Sequence, residues 1–387
     1  MILGILLEGL LVRLPANPAG AALPGERIGV LHIHTRASDG SGTLPEIVAD
    51  ARQAGLSFVA ITDHNVSMAK SVAGDFGPDF AVIEGEELTT WSGHLLTLGI
   101  APGWQRLKPF DPDALMEATH AAGGYNIPAH PFHDRVPWTD WKTSNSNIDG
   151  LEILNGDTSW RQANFLDLMT ALVLYTVNDQ LALVRMARTP DRELAKWDEL
   201  SAQKPIPGFC GSDAHAALRL GMGFIWRFPG YTPLFRVSRT HVLLPPDAGG
   251  GDPNHASASE ILDALMSGHS FCALDALYPA SGFVQRISTG SAVGGPGDNL
   301  TWGNSGRIHV SVPTGASQPM IKVIRDGKEF LSKMAWTVDE PIPGPGRYRS
   351  EVFLRQPGLT GWKRWTPWIL SNPIYVNPPP GEPTAIN

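Results

Sequence analysis

Apolar residues in the first two thirds of the chain come in short runs that end on histidines and carboxylates. Residues 28–31 are the first such run and read as a buried strand leading into His32-Ile33-His34. Side chains alternate along a strand, so His32 and His34 project to one side, with Asp39 five residues on. Residues 43–55 follow with helical spacing of Leu44, Ile47, Val48 and Ala51, Thr43 and Glu46 as a capping box, and Gly55 as the stop. Residues 58–64 predict a strand ending in Asp63-His64, and residues 81–88 one that carries Glu86-Glu87. Residues 94–100 come too soon after for a helical crossover, which predicts a hairpin that sets His94 beside Glu87. A helix over 111–123, with Pro112 at its first position, leads to a short strand ending at His130. Another strand is expected over 150–156, helices over 164–188 and 191–203, and a strand over 207–215 that closes in Asp213-Ala214-His215.

Strands alternating with helices over about 250 residues imply an α/β barrel or a doubly wound sheet, where chemistry collects at strand C-terminal ends. From about residue 280 the helical periods stop. Residues 308–312 alternate, Asp326-Gly327 signals a hairpin within 321–330, and strands are expected over 347–354 and 368–376. The expected organisation is an extension over 1–26, the α/β part over 27–279, and a β-sandwich-like domain with a frayed tail over 280–387. Residues 1–15 are apolar, but they lack a basic start and carry Glu8. An extra strand or packing helix is therefore preferred to a signal peptide. Cytoplasmic location is the expectation and export the alternative. Charged residues interrupt the apolar run at 166–184, so no membrane span is expected.

At 387 residues, 42% hydrophobic and 18% charged, the composition is that of an ordered globular protein with room for two cores. A formal charge of −8, with no Lys/Arg block, argues against a phosphate-tracking surface for nucleic acid. Cys210 and Cys272 make no disulfide framework, and a bridge between them is not suggested because Cys210 sits in an apparent core strand.

The strand ends together present His32, His34, Asp39, His64, Glu87, His94, His130, Asp213 and His215. These six imidazoles, half of the chain's 12 histidines, and three carboxylates exceed what one ion can use. They suit two or three divalent transition ions of borderline softness: Zn, Mn or Fe. Arg36 lies between the first ligands and could pair with an anionic substrate. His133, Asp134 and Arg135 follow His130 on a loop expected to overhang the site, where His133 could protonate a leaving group. Trp91, Trp138, Trp141 and Trp160 near the strand ends would suit an aryl group.

In order, His32-Ile33-His34-Thr35 with Ser38-Asp39-Gly40, Thr62-Asp63-His64, Gly85-Glu86-Glu87-Leu88, Ala129-His130-Pro131 and Gly211-Ser212-Asp213-Ala214-His215 resemble the motifs of the PHP (polymerase and histidinol phosphatase) metallohydrolases. The resemblance runs over about residues 27–275. It implies a distorted seven-stranded (β/α) barrel with a trinuclear site. His32, His34, Glu87 and Asp213 would hold one ion, Glu87 with His94 and His130 a second, and Asp39, His64 and His215 a third. The family pattern of Leu and Thr after the ligand favours Glu87 over Glu86. Residues 367–376, with Trp197-Asp198-Glu199-Leu200, are similar to the carbaryl-hydrolase branch. The implied activity is a phosphoesterase in which a metal-bridging hydroxide attacks a small phosphate ester, with Asp39, His64 and His215 in the catalytic set. A carbamate or carboxyl (aryl) ester hydrolase using the same site is the alternative, and a metal-binding module without turnover is the second alternative.

Overall fold

The predicted capping signals and strand runs build the first part of the molecule. A computed structural model describes the chain except for residues 1, 16–23, 68–75, 101–110, 142–143, 220–224, 246–247, 252–254, 291, 316, 360–363 and 381–387. The first elements are α1 (Ile2–Leu11), β1 (Glu26–Ile33), α2 (Leu44–Gln53), β2 (Phe58–Ile61), β3 (Ala81–Thr90), β4 (Gly93–Leu98), α3 (Pro112–Ala121), β5 (Tyr125–Pro128) and β6 (Leu151–Asn155). Then come α4 (Gly156–Arg161), α5 (Phe165–Tyr175), α6 (Asp179–Met186), α7 (Asp191–Ser201), β7 (Gly208–Ala214), β8 (Leu218–Arg219), β9 (Ile225–Trp226), α8 (Tyr231–Phe235), β10 (Arg239–Leu243), α9 (Ala258–Met266) and β11 (Ser270–Ala273). The last third is all strand: β12 (Val284–Thr289), β13 (Ala292–Gly294), β14 (Asn299–Thr301), β15 (Arg307–Ser311), β16 (Met320–Arg325), β17 (Lys328–Met334), β18 (Thr337–Pro341), β19 (Gly346–Arg355), β20 (Trp365–Ser371) and β21 (Ile374–Asn377).

Local chemistry sets the helix ends. The Thr43 N–H donates to Glu46 Oε2 at 2.8 Å to start α2, and Gly55 supplies the left-handed turn that stops it. Asp111 caps α3 by accepting from the Asp113 N–H at 3.1 Å. The helical stretch expected over 164–188 breaks in two, because the Asn178 side chain accepts the Leu181 N–H and begins a new helix there. Residues 2–11 form a packing helix. A Cβ on Gly9 would lie 2.4 Å from Val177 Cγ2, so glycine is what lets α1 sit this close to the end of α5. Among the described residues, no helix is long and apolar enough to cross a membrane.

Seven strands run in the order β6-β7-β1-β2-β3-β4-β5. Those from β6 to β3 are parallel, and β3, β4 and β5 are antiparallel, with the β3–β4 hairpin as expected. The closed seven-stranded barrel is not formed: no ladder joins β5 to β6 among the described residues. That gap is crossed instead by the Asp149 N–H donating to the Asn126 carbonyl and the Asn126 N–H donating to Asp149 Oδ2, both at 2.8 Å.

The sheet also branches at β1. Its first half pairs with β10, Glu26 opposite Leu243 to Gly29 opposite Thr240, while Leu31 and Ile33 pair with Gly211 and Ala214 of β7. From β10 the sheet continues through β11 and β20 to β19, so strands of the last third extend the same sheet. Asn372 fastens this junction, accepting from the Gly208 N–H at 2.7 Å and donating to the Ser270 carbonyl at 3.1 Å. A second sheet, β13-β12-β15-β18, packs Ile287, Ile308, Val310 and Val338 into the shared core. The branch brings β7 close to β11, and Cys210 and Cys272 are disulfide-bonded there, with Cα atoms 5.7 Å apart. Core burial of Cys210 did not exclude a bridge, since its partner lies in the same core 62 residues away in sequence.

Candidate metal centre

The β1 strand does not deliver its two histidines by simple alternation. Its register shifts between Val30 and Ile33, and His32 has φ of 63°. Both rings still converge, with centroids 5.2 Å apart. Two more site residues take left-handed backbone, His130 at φ 28° and Asp213 at φ 52°. A residue with a Cβ pays a steric penalty in that region, and such residues persist only where surrounding bonds hold them.

Glu87 is the centre of the cluster, 1% exposed near the end of β3. Its Oε2 lies 3.2 Å from His32 Nε2, His34 Nε2 and His64 Nδ1. Its Oε1 lies 2.7 Å from His94 Nδ1, placed by the hairpin, and 3.1 Å from His130 Nε2. Asp213 Oδ1 lies 3.5 Å from His32 Nε2 and 3.4 Å from both His34 Nε2 and His215 Nδ1. Asp39 Oδ1 lies 3.2 Å from His215 Nε2, 3.6 Å from His34 Nδ1 and 3.9 Å from His64 Nε2. All nine strand-end residues therefore meet.

Four overlapping groups have donor atoms within 4.8 Å of one another: His34-Asp39-His64-His215, His32-Glu87-His130, His32-His34-Asp213 and His64-Glu87-His94. The His32 Nε2, both His34 nitrogens, His130 Nδ1 and Glu87 Oε2 are buried without a hydrogen-bond partner. Buried polar atoms are ordinarily partnered, so the orphaned His32 Nε2 and His34 Nε2, both converging on the orphaned Glu87 Oε2, fit a cation between them.

Protein charge alone couples the groups strongly. Burial disfavours the charged form of His34, but Asp213 and Glu87 outweigh it and hold the imidazole up at about 9. Burial likewise raises Asp39, and His215, His34 and His64 bring it down to about 2. Glu87 is held well below the ordinary carboxylate range, its burial outweighed by His32, His130 and His34. Exposure is graded: His32 and His34 are sealed, while Asp39 is 38% exposed with His64 and His215 beside it. The cluster opens to solvent on that side.

Glu86, the neighbour of Glu87, is buried, but no metal-competent group among the described residues includes it. The Arg36 side chain lies against the Ser41 carbonyl, 2.7 Å from Nε, and Glu46. His133 is buried with its ring 5.0 Å from that of His130. Its Nδ1 accepts the Arg135 and Val136 N–H groups, which leaves Nε2 to donate toward Asp157 at 3.3 Å. Asp157 also accepts from Trp160 Nε1 and Arg161. Trp138 is buried in the core, whereas Trp91 and Trp160 are exposed.

Three residues at the site were missed from sequence. Asp63 is buried and accepts from the Thr35 N–H and hydroxyl and from the Ser38 hydroxyl, at 2.8, 2.6 and 2.5 Å, bracing the loop that carries Asp39. Glu152 accepts from His32 Nδ1 at 2.9 Å, and Asn155 Nδ2 lies 3.3 Å from Asp213 Oδ2. The available signal was a carboxylate inside the apolar run Leu151-Glu152-Ile153-Leu154, since unpaired Glu is almost never fully buried.

With this geometry established, comparison with known proteins bears on the family. No curated protein matches the chain. Among solved structures, a two-domain protein from Bacteroides vulgatus, assigned a PHP-like metal-dependent phosphoesterase, is 13% identical, with TM-score 0.46 over 93% of this chain and 98% of its own. A protein from Bifidobacterium adolescentis, assigned as a metal-dependent phosphoesterase, is 17% identical, with TM-score 0.34 over 48% of this chain and 87% of its own. An amidohydrolase from Chromobacterium violaceum with bound sulfate and no metal is 16% identical, with TM-score 0.32 over the same shares. These likenesses are too distant to inform the chemistry. The family model of the PHP domain matches residues 31–123, a stretch that includes six of the nine converging residues, His32, His34, Asp39, His64, Glu87 and His94; over that stretch the chain matches the PHP domain family.

Proposed function

We propose that the protein is a metal-dependent hydrolase acting on phosphate esters. The observation that carries this is the convergence of six imidazoles and three carboxylates, Glu87 at their centre, with buried donor atoms left unpartnered. His32, His34 and Asp213 would hold one ion, Glu87 with His94 and His130 a second, and Asp39, His64 and His215 a third, with Glu87 shared. Bound divalent ions would supply positive charge for a phosphoryl group and an acidified water.

The chain's own residues do the rest. The buried Glu87, His32 and His34 form the floor, and substrate reaches the site over Asp39, His64 and His215, where the exposure lies. Three divalent ions would outweigh the four carboxylates Asp39, Glu87, Asp213 and Glu152 and leave a net positive site, which favours an anionic ester over a neutral carbamate or carboxyl ester. His133 Nε2 faces Asp157, so it would reach a leaving group only by turning from that carboxylate.

The test is elemental analysis of the purified protein, then kcat/KM for nitrophenyl phosphate mono-, di- and triesters against naphthyl methylcarbamate and naphthyl acetate on one zinc- or manganese-loaded batch. Two to three equivalents of metal and a phosphoester preference are expected. Less than one equivalent after reconstitution removes the metal reading. A carbamate or acetate ahead of every phosphoester by about a hundredfold, roughly 2.7 kcal/mol in the transition state, removes the substrate reading.

A further inference from the structure

We propose that Glu152 is the positioning residue of this site: one buried carboxylate that fixes the ring orientation and tautomer of His32 while bracing His130 and Asp213. The inference rests on the metal reading above. Glu152 is 1% exposed on β6. Its Oε1 accepts from His32 Nδ1 at 2.9 Å; its Oε2 accepts the His130 N–H at 2.5 Å and Asn155 Nδ2 at 3.0 Å. The same Asn155 nitrogen reaches Asp213 Oδ2 at 3.3 Å. The three residues so held are the three site residues with left-handed backbone, at φ 63°, 28° and 52°. Strained residues need bonds that over-determine their conformation, and here these bonds converge on one side chain.

The strut needs a gap in the sheet. β6 is separated from β1 by β7, so the Glu152 carboxylate must pass β7 to reach His32. It passes at Gly211, where a Cβ would stand 1.6 Å from Glu152 Oε1 and 3.0 Å from His32 Cβ. Glycine at 211 is thus part of the device.

The chemistry lies in the tautomer. A carboxylate only accepts, so with a cation bound His32 would keep its proton on Nδ1 and offer the lone pair of Nε2, the nitrogen that lies 3.2 and 3.5 Å from Glu87 and Asp213. A glutamine keeps the shape but cannot serve all three donors. With its oxygen toward the His130 N–H and Asn155, its NH2 faces His32 Nδ1. That nitrogen must then accept, and the proton moves to Nε2, where it blocks a cation. With the amide turned over, its NH2 opposes the His130 N–H.

The experiment measures zinc content and zinc affinity, by elemental analysis and chelator competition, on the full-length wild type, Glu152→Gln and Gly211→Ala, with a thermal melt of each metal-free protein. Expected are a Glu152→Gln melting temperature lowered by only a few degrees and zinc affinity at least about tenfold weaker in both variants. Wild-type zinc affinity and content in Glu152→Gln overturn the proposal. If that variant does not fold, Gly211→Ala decides, because it keeps every ligand and Glu152 itself; wild-type affinity there overturns the proposal. A wild type that takes up no zinc fails the metal reading, and the inference with it, whereas zinc uptake unchanged by either variant fails the inference alone.

Discussion

On β10, beside the start of β1 and away from the candidate metal centre, the buried His241 gives a quantitative test of the fold. His241 is fully buried between Glu26, 2.6 Å from its Nδ1, and Asp275, with both oxygens 3.2 Å from its Nε2; Arg239 lies 3.5 Å beyond on Asp275. Burial pulls the imidazole down, but Asp275 and Glu26 outweigh it and raise it to about 9. A histidine whose folded pKa exceeds its unfolded value stabilises the fold fully below the unfolded pKa, near 6.5, and loses that contribution as pH climbs through the folded one. A rise from about 6.5 to about 9 amounts to roughly 3 kcal/mol. With an unfolding entropy near 2.1 cal/mol/K per residue over the whole chain, that is about 4 °C in Tm. The assay is the melting temperature of wild type and His241→Gln from about pH 6 to about pH 9.5. The gap between the two proteins should shrink by about 4 °C across that window, mostly above pH 7. Parallel curves would refute a charged His241 in the folded state.

Other consequences are sharper in direction than in size. Asp63→Asn leaves fewer acceptors for three donors, two of them buried, and should cost about 1–3 kcal/mol of stability. It should also weaken zinc binding about tenfold by loosening the Asp39 loop, and unchanged chelator competition would contradict this. Cys210→Ser with Cys272→Ser removes a cross-link spanning 62 residues, worth about 4 kcal/mol by chain entropy; a wild-type Tm insensitive to reductant would show that the bridge adds nothing. Ending the chain after Ala280 strips β20 from β11 and Asn372 from Gly208, so the shortened protein should aggregate. Recovery of a soluble, cooperatively melting, zinc-binding fragment would show that the two parts fold separately.

Much of the site was legible because its chemistry sits in residue types that strands rarely end on by chance. Six histidines and three carboxylates at successive strand ends pointed to one cluster, and the capping box of Thr43 and Glu46 and the first-position Pro112 placed helices between them. Long-range sheet geometry was not legible. Nothing in Ile28-Gly29-Val30-Leu31 says that β1 divides its edge between β10 and β7, and that division is what brings Cys210 to Cys272. Nor does the His-Ile-His alternation reveal the register shift at His32, because a left-handed residue leaves no trace in the apolar pattern. Glu152 was written plainly inside an apolar strand, but its partner lies 120 residues away in sequence.

The open β5–β6 seam and the strained ligands belong to one design. Closing the ring with a ladder would hold β5 and β6 at hydrogen-bonding distance along their length, about 4.8 Å. The chain instead crosses the seam at two points. Asp149 holds Asn126 at one end, and the Glu152 carboxylate takes the His130 N–H at the other. A ladder would tie up the His130 N–H with a neighbouring carbonyl and fix that residue in extended backbone. The side-chain crossing lets His130 adopt φ of 28° and aim Nε2 at Glu87, 3.1 Å away. The same carboxylate continues past Gly211 to His32, so the group that substitutes for the missing ladder also sets a ligand two strands away. A closed barrel would be the more regular sheet, but it would leave no route for Glu152 and no reason for Gly211.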